Sequence, residues 1–136
     1  MRHNPTANSE EMSPEQRALL ALLRSALGQT DLDDPAALPL SDSQWTTVYD
    51  LAKQQTVAAL LWNAIKRLPD NLLPCDTLLM RWAAKVAQTE RLNREMNAAL
   101  DRLLRTMADS NIHPTVLKGQ GVAALYDTPS LRECGD

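Results

Sequence analysis

The sequence predicts a mainly α protein: a bundle of about four helices ending in one long C-terminal helix, then a strand, a turn and a short helix that open an α/β core. Three observations carry this prediction. Two helix starts, Ser13-Pro14-Glu15-Gln16 and Ser41 to Gln44, each set a serine three residues before a glutamine and are followed by apolar residues at steps of three and four. From Leu79 to Met107 that stepping continues without a miss, over a length that only a long helix explains. At the end, Pro114 to Gly121 reads P-T-V-L-K-G-Q-G, where β-branched and apolar residues run straight into a glycine turn.

Composition agrees and sets bounds. A chain of 136 residues has room for one domain with a real core. With three Trp, two Tyr and no Phe, the packing falls to Leu, Ala, Val and Met. Three of the four glycines sit in the last 18 residues, so special turns concentrate there. The net charge of −3 gives no basic footprint, and nucleic acid is not indicated. The longest fully apolar run, Val57 to Trp62, is far below the roughly 20 residues of a membrane helix, so no membrane partner is expected. The first residues lack the apolar segment of a secretory leader, and Cys75 and Cys134 lie far apart with no C-x-x-C and no neighbouring histidine. Two reduced cysteines in a cytoplasmic protein is the expectation.

Residues 1–12 are polar and read as a disordered tail, residues 13–111 as the helical domain, and 112–136 as the start of a second unit. In the first helix Ser13 caps, Pro14 takes the first helical position, and Gly28 is the expected terminator. Ser41 caps the second helix, whose face is Trp45, Val48, Leu51 and Ala52. Thr56 is the expected cap of a third helix running through Leu68 to the break at Pro69, with Ala58, Leu61, Trp62 and Ile65 as its stripe. Pro74 leads into the long helix, from about Asp76 to about Ser110 and on the order of 50 Å long.

The seam of that helix is Leu79, Trp82, Val86, Thr89, Asn93, Met96, Leu100, Leu103 and Met107, with Thr89 and Asn93 as polar interruptions. Its partner is either the chain's own shorter helices or a second copy. Leu78, Leu92 and Leu104 widen the stripe and favour the bundle. Arg91, Arg94, Arg102 and Arg105 read as a solvated face. The strand at Pro114–Lys118 has no partner strand within the chain. It is expected either to lie on the bundle as a loop or helix, or to pair with another chain.

The tail L-K-G, the short helix after it, and R-E-C-G-D at the end together resemble the opening of the catalytic core in a family of uncharacterised bacterial nucleotidyltransferases of the polymerase-beta-type superfold. The helices resemble that family's amino-terminal region too, chiefly Gln44-Trp45 through Lys53 and Val57 to Trp62. Residue by residue, Lys118 and Gly119 match the turn, Arg132 the arginine, Gly135 the glycine and Asp136 the first acid of an acid-x-acid pair. The resemblance implies that Lys118, Gly119 and Arg132 bind nucleotide and that Asp136 belongs to a magnesium site. The second acid, expected two positions later, is not among the 136 residues, and neither is the superfold's third.

What the resemblance implies for the intact protein is transfer of a nucleotidyl group from an NTP to an unknown acceptor, with magnesium. A lone acid does not organise two metal ions, so the chain by itself is expected to be inactive and to hold no cofactor. The alternative is a stand-alone helical module that self-associates through the long helix or the unpaired strand. Without the resemblance, Lys118 reads as an exposed strand-end lysine, Gly119 and Gly121 as a tight turn, and Arg132 as a surface partner of Glu133 or Asp136.

Overall fold

The computed structural model of the chain describes residues 11–126 and 128–133. Five α-helices form: α1 Pro14–Gly28, α2 Asp42–Gln54, α3 Ala58–Ile65, α4 Asp76–Asp109 and α5 Gln120–Ala123, joined by short 3-10 turns at Pro35–Ala37, Asp70–Leu72 and Pro129–Leu131. No strand forms among the described residues. The expected disorder of residues 1–12 falls mostly on residues outside the description.

Both capping boxes form. The hydroxyls of Ser13 and Ser41 accept from the backbone N–H of Gln16 and Gln44 at 3.1 and 3.2 Å, and each glutamine side chain accepts from the serine N–H in return. Replacing Ser41 with alanine removes the cap of the helix that carries Trp45 and Tyr49. Urea unfolding should register a loss of about 1 kcal/mol. At the other end of α1, Gln29 adopts the left-handed cap conformation (φ 51°, ψ 39°) one residue after the glycine expected to do so. Arg67 reaches across from the end of α3, and its Nη2 donates to the carbonyls of Ser25 and Thr30 at 2.7 and 3.1 Å. It thereby ties the end of α3 to the last turn of α1 and to the residue beyond its cap. Arg17 forks onto Asp34 beyond α1. Its hydrogen bond, more than its charge, holds the Asp34 carboxyl below the usual carboxylate range.

The third helix differs from expectation at both ends. Thr56 is not its cap: it takes a left-handed conformation (φ 57°) at the turn out of α2, and Val57 stands at the N-cap with no side-chain bond. After Ile65 the backbone tightens into i→i+3 bonds at Arg67 and Leu68 instead of continuing. What remains is apolar nearly all round, with Ala58, Ala59, Leu60, Leu61, Ala64 and Ile65 all buried. Such a helix belongs in the middle of a fold. Here α1 packs on one side of α3 and α4 on another, while α2 packs on α1. The centre is Trp45, Trp82, Leu22, Leu61, Ile65 and Val48, all fully buried.

The long helix divides into two halves. From Asp76 to Asn93 it is a wall of the bundle, with Leu78, Trp82, Val86, Thr89 and Asn93 buried. Beyond Asn93 none of its residues is buried: Met96, Leu100, Leu104 and Met107 are half-covered, and Leu103 is 51% exposed. The heptad seam is therefore continuous in sequence but only its first half is packed within the described chain. The four arginines of the other face are exposed, Arg91 and Arg105 beside Glu95 and Asp101 one turn away.

The strand expected at Pro114–Lys118 does not form. Residues 112–117 are irregular and exposed, with Leu117 at 82%. Among the described residues no second strand lies beside them to complete a ladder, and local β preference does not hold a strand without one. The turn and the helix that were expected to follow are present.

Candidate functional site

Sequence and backbone meet most clearly at Gly119. Its φ of 62° and ψ of −114° are those of the first central residue of a type II′ turn, a region that residues with a Cβ disfavour. Gly121 closes the turn by donating its N–H to the Lys118 carbonyl at 3.3 Å. The two glycines serve different needs. A Cβ on Gly119 would meet nothing within 4 Å, so only its dihedrals demand glycine, whereas a Cβ on Gly121 would stand 2.7 Å from the Val116 carbonyl oxygen. Gly121→Ala is therefore expected to displace the turn. Amide exchange should speed up at Gly121 and Ala123, while the global unfolding free energy falls by less than about 1 kcal/mol. The backbone of Gly119 is bare, as a phosphate-approach position needs. The helix that follows it has only four residues, so little helix dipole accumulates to attract an anion.

The tail is held on α4 by two asparagines one turn apart, which the sequence had not singled out as site residues. The Asn97 side chain accepts a hydrogen bond from Gln120, next to Gly119. The buried Asn93 amide donates to the carbonyls of Ser130 and Arg132, each at 2.8 Å, and to Thr89 of its own helix at 3.0 Å. Asn93 and Asn97 are separated by four residues, about 6 Å of rise on one helix face. They anchor the glycine turn and the Arg132 segment side by side along α4. The signal for Asn93 was present in the sequence as a polar residue in an apolar seam, and its meaning is now specific: it clamps the tail.

Glu133 contradicts its expected place on the surface beside Arg132. Its side chain is only 7% exposed, pairs with Lys85 Nζ at 3.8 Å, and accepts from the Ala59 N–H at 3.3 Å. It thus supplies, from 74 residues downstream, the N-terminal cap that α3 lacks locally. Arg132 is half-buried, and its Nη1 is a buried donor without a hydrogen-bond partner among the described residues.

Two clefts meet at Arg132 and Glu133. One, of about 310 Å³, is lined by Lys53, Thr56, Lys85, Asn93 and the Arg132–Glu133 pair. The other, of about 360 Å³, runs past Val57, Leu60, Tyr126 and Leu131. Lys118 is exposed and lines neither. The residues expected to bind nucleotide are thus anchored near one another on α4 but do not converge on one cleft. Gly135 and Asp136 lie outside the described residues, as does Cys134, while Cys75 is exposed and free. Among the described residues no cluster of three His, Cys, Asp or Glu could hold a metal ion, and Glu133 is already engaged. The described residues do not fit a magnesium site, and the chemistry assigned to them is confined to binding and positioning. No helix among them is long and apolar enough to cross a membrane.

A family described as "Uncharacterised nucleotidyltransferase" matches residues 41–136, from the cap of α2 to the final aspartate. No curated protein and no solved structure matches the chain.

Proposed function

Because the chain belongs to the uncharacterised nucleotidyltransferase family, we propose that it is the helical region and the opening of a catalytic core that transfers a nucleotidyl group from an NTP to an acceptor. The observation that carries this reading is the span of the match: it takes in α2, α3, α4 and the tail together. The Asn93 clamp and the Glu133 cap give that unity a physical basis, since each ties the tail to the bundle. The bundle then braces the core rather than standing as a separate domain.

In this reading a nucleophile on the acceptor attacks the α-phosphorus. The α–β phosphoanhydride bond breaks, and pyrophosphate leaves with the electron pair. Transfer of this kind depends on positioning and charge neutralisation more than on covalent chemistry. Gly119 offers bare backbone to the phosphates, Lys118 a mobile positive charge, and Arg132 a planar donor whose buried Nη1 has no partner among the described residues. Asp136 stands as the first acid of the magnesium pair, and the second is proposed to lie in a continuation of the chain. The 136 residues alone are inactive in this account. The test is an NTP-transfer assay on a product extended through the acid pair. Lys118→Ala and Arg132→Ala should each lower kcat/KM by about 100-fold or more. Unchanged rates in both variants would remove the site assignment.

A second reading rests on the uncovered half of α4. Leu100, Leu103, Leu104 and Met107 form an apolar face that no described residue buries. A second copy of the chain would cover it by pairing the two helix halves. Sedimentation should then show a dimer that Leu103→Glu dissociates. A monomer at about 100 μM would dispose of this reading, because a pairing that weak has no structural role.

A further inference from the structure

The cleft between α2, α4 and the tail gathers more positive charge than an acidic chain would be expected to place in one spot. Lys53 comes from the end of α2, Lys85 from the first third of α4, and Arg132 from the tail, and all three line the same space. The one carboxylate lining it is Glu133, already committed to Lys85 and to the Ala59 N–H. Asp50, the only other acid near these lysines among the described ion pairs, holds Lys53 at 3.5 Å in an exposed pair of the kind that water screens. Charge in the lining thus sums to three cations against one anion, in a protein whose net charge is −3. A cluster of like charges is unfavourable unless something neutralises it. The buried Arg132 Nη1 has no partner among the described residues, and buried guanidinium nitrogens are ordinarily bonded. Thr56 adds a hydroxyl to the lining at its left-handed turn.

We propose that this cleft is an anion site that takes a polyphosphate, with Lys53 and Lys85 of the helical bundle as recognition residues alongside Arg132. A guanidinium presents a fork to phosphate oxygens and two ammonium groups add point charges, a combination suited to a chain of phosphates rather than to a single carboxylate. The bundle is then part of the binding surface and not only a brace. The proposal rests on the nucleotidyl-transfer reading for the natural ligand alone, the triphosphate of an NTP or a phosphorylated acceptor; the cleft stands without that reading.

The test is calorimetric titration of the 136-residue chain with inorganic triphosphate, without divalent metal. The parent should bind at submillimolar Kd, and Lys53→Gln and Lys85→Gln should each weaken binding about tenfold. Arg91→Gln, which lies outside the cleft, should leave it within about twofold. Because Lys85 also pairs with Glu133, Lys53→Gln decides the outcome if Lys85→Gln fails to fold. No binding by the parent, lysine variants that bind like the parent, or an Arg91 variant weakened as much as Lys53→Gln would each overturn the assignment. Competition by an NTP but not by inorganic monophosphate supports the cleft with the nucleotide as source, and competition by both supports it with a phosphorylated acceptor as source. A chain that binds triphosphate through these lysines, while the extended product transfers no nucleotide, keeps the cleft and removes the proposed function. Transfer activity with no triphosphate binding at the lysines does the reverse.

Discussion

Trp82→Ala is expected to remove about 3–5 kcal/mol of unfolding free energy, a large fraction of the roughly 5–15 kcal/mol that holds a typical domain folded. The indole is fully buried and joins three helices. It stands edge-on to Trp45 with centroids 6.2 Å apart and to Tyr49 at 5.0 Å, and its Nε1 donates to the Ala58 carbonyl at 2.6 Å. Truncation deletes the aromatic contacts, opens a cavity at the α2–α3–α4 junction, and leaves that carbonyl one bond short. Trp82→Phe separates the contributions, since it keeps an aromatic ring and loses the hydrogen bond. It should cost about 1–3 kcal/mol. Urea unfolding followed by far-UV circular dichroism measures both. A loss below about 1 kcal/mol for the alanine variant would mean that this junction is not the centre of the core.

The second large effect is expected at Asn93. Leucine there perfects the apolar seam of α4, and a reading from periodicity alone expects a more stable helix. The structure predicts the opposite. The Asn93 amide is the donor for the Ser130 and Arg132 carbonyls, and an apolar side chain leaves both without it. Each carbonyl stranded in this way costs about 1–3 kcal/mol unless the tail lifts off and exposes it to water. Lifting off is the cheaper response, so the loss is expected mainly as undocking. Hydrogen exchange should quicken at Leu131 to Glu133 and at Ala59, whose N–H depends on Glu133, while α1 and α2 keep their protection. Asn93→Asp should behave alike, because it also lacks the amide donor. Unchanged tail protection in both variants would mean that the clamp is not what holds the tail. Neither variant should change the oligomeric state, since position 93 faces the tail and not the uncovered half of α4.

Local rules were legible and long-range ones were not. The two capping boxes, the extent of α4 and the solvated arginine face follow from signals within a few residues of one another, and each formed. Thr56 carried a cap signal of the same kind, yet the chain used it to turn out of α2 and left the cap of α3 to Glu133. No local pattern encodes a partner 74 residues away. The strand at Pro114–Lys118 failed for a related reason: its composition is suitable, but a strand is a pairing and the described chain offers no mate. Asn93 was visible only as a polar interruption until the tail folded back on it, and Lys85 carried no signal of its pairing with Glu133. At the site, the glycine turn could be read from Gly119 and Gly121. The separation of Lys118 from the Arg132 cleft could not, because it depends on how α4 spaces its two asparagine anchors.

The proposed nucleotidyl transfer makes these helices and this tail the front of one core. The direct measurement is to express the reading frame onward past the Asp136 codon and assay the product with labelled NTP and magnesium. The account predicts an apolar residue and then a second acid directly after Asp136. It also predicts magnesium-dependent transfer by the extended product and none by residues 1–136 alone. A stop codon at that point, on a stably folded and dimeric short product, would contradict it.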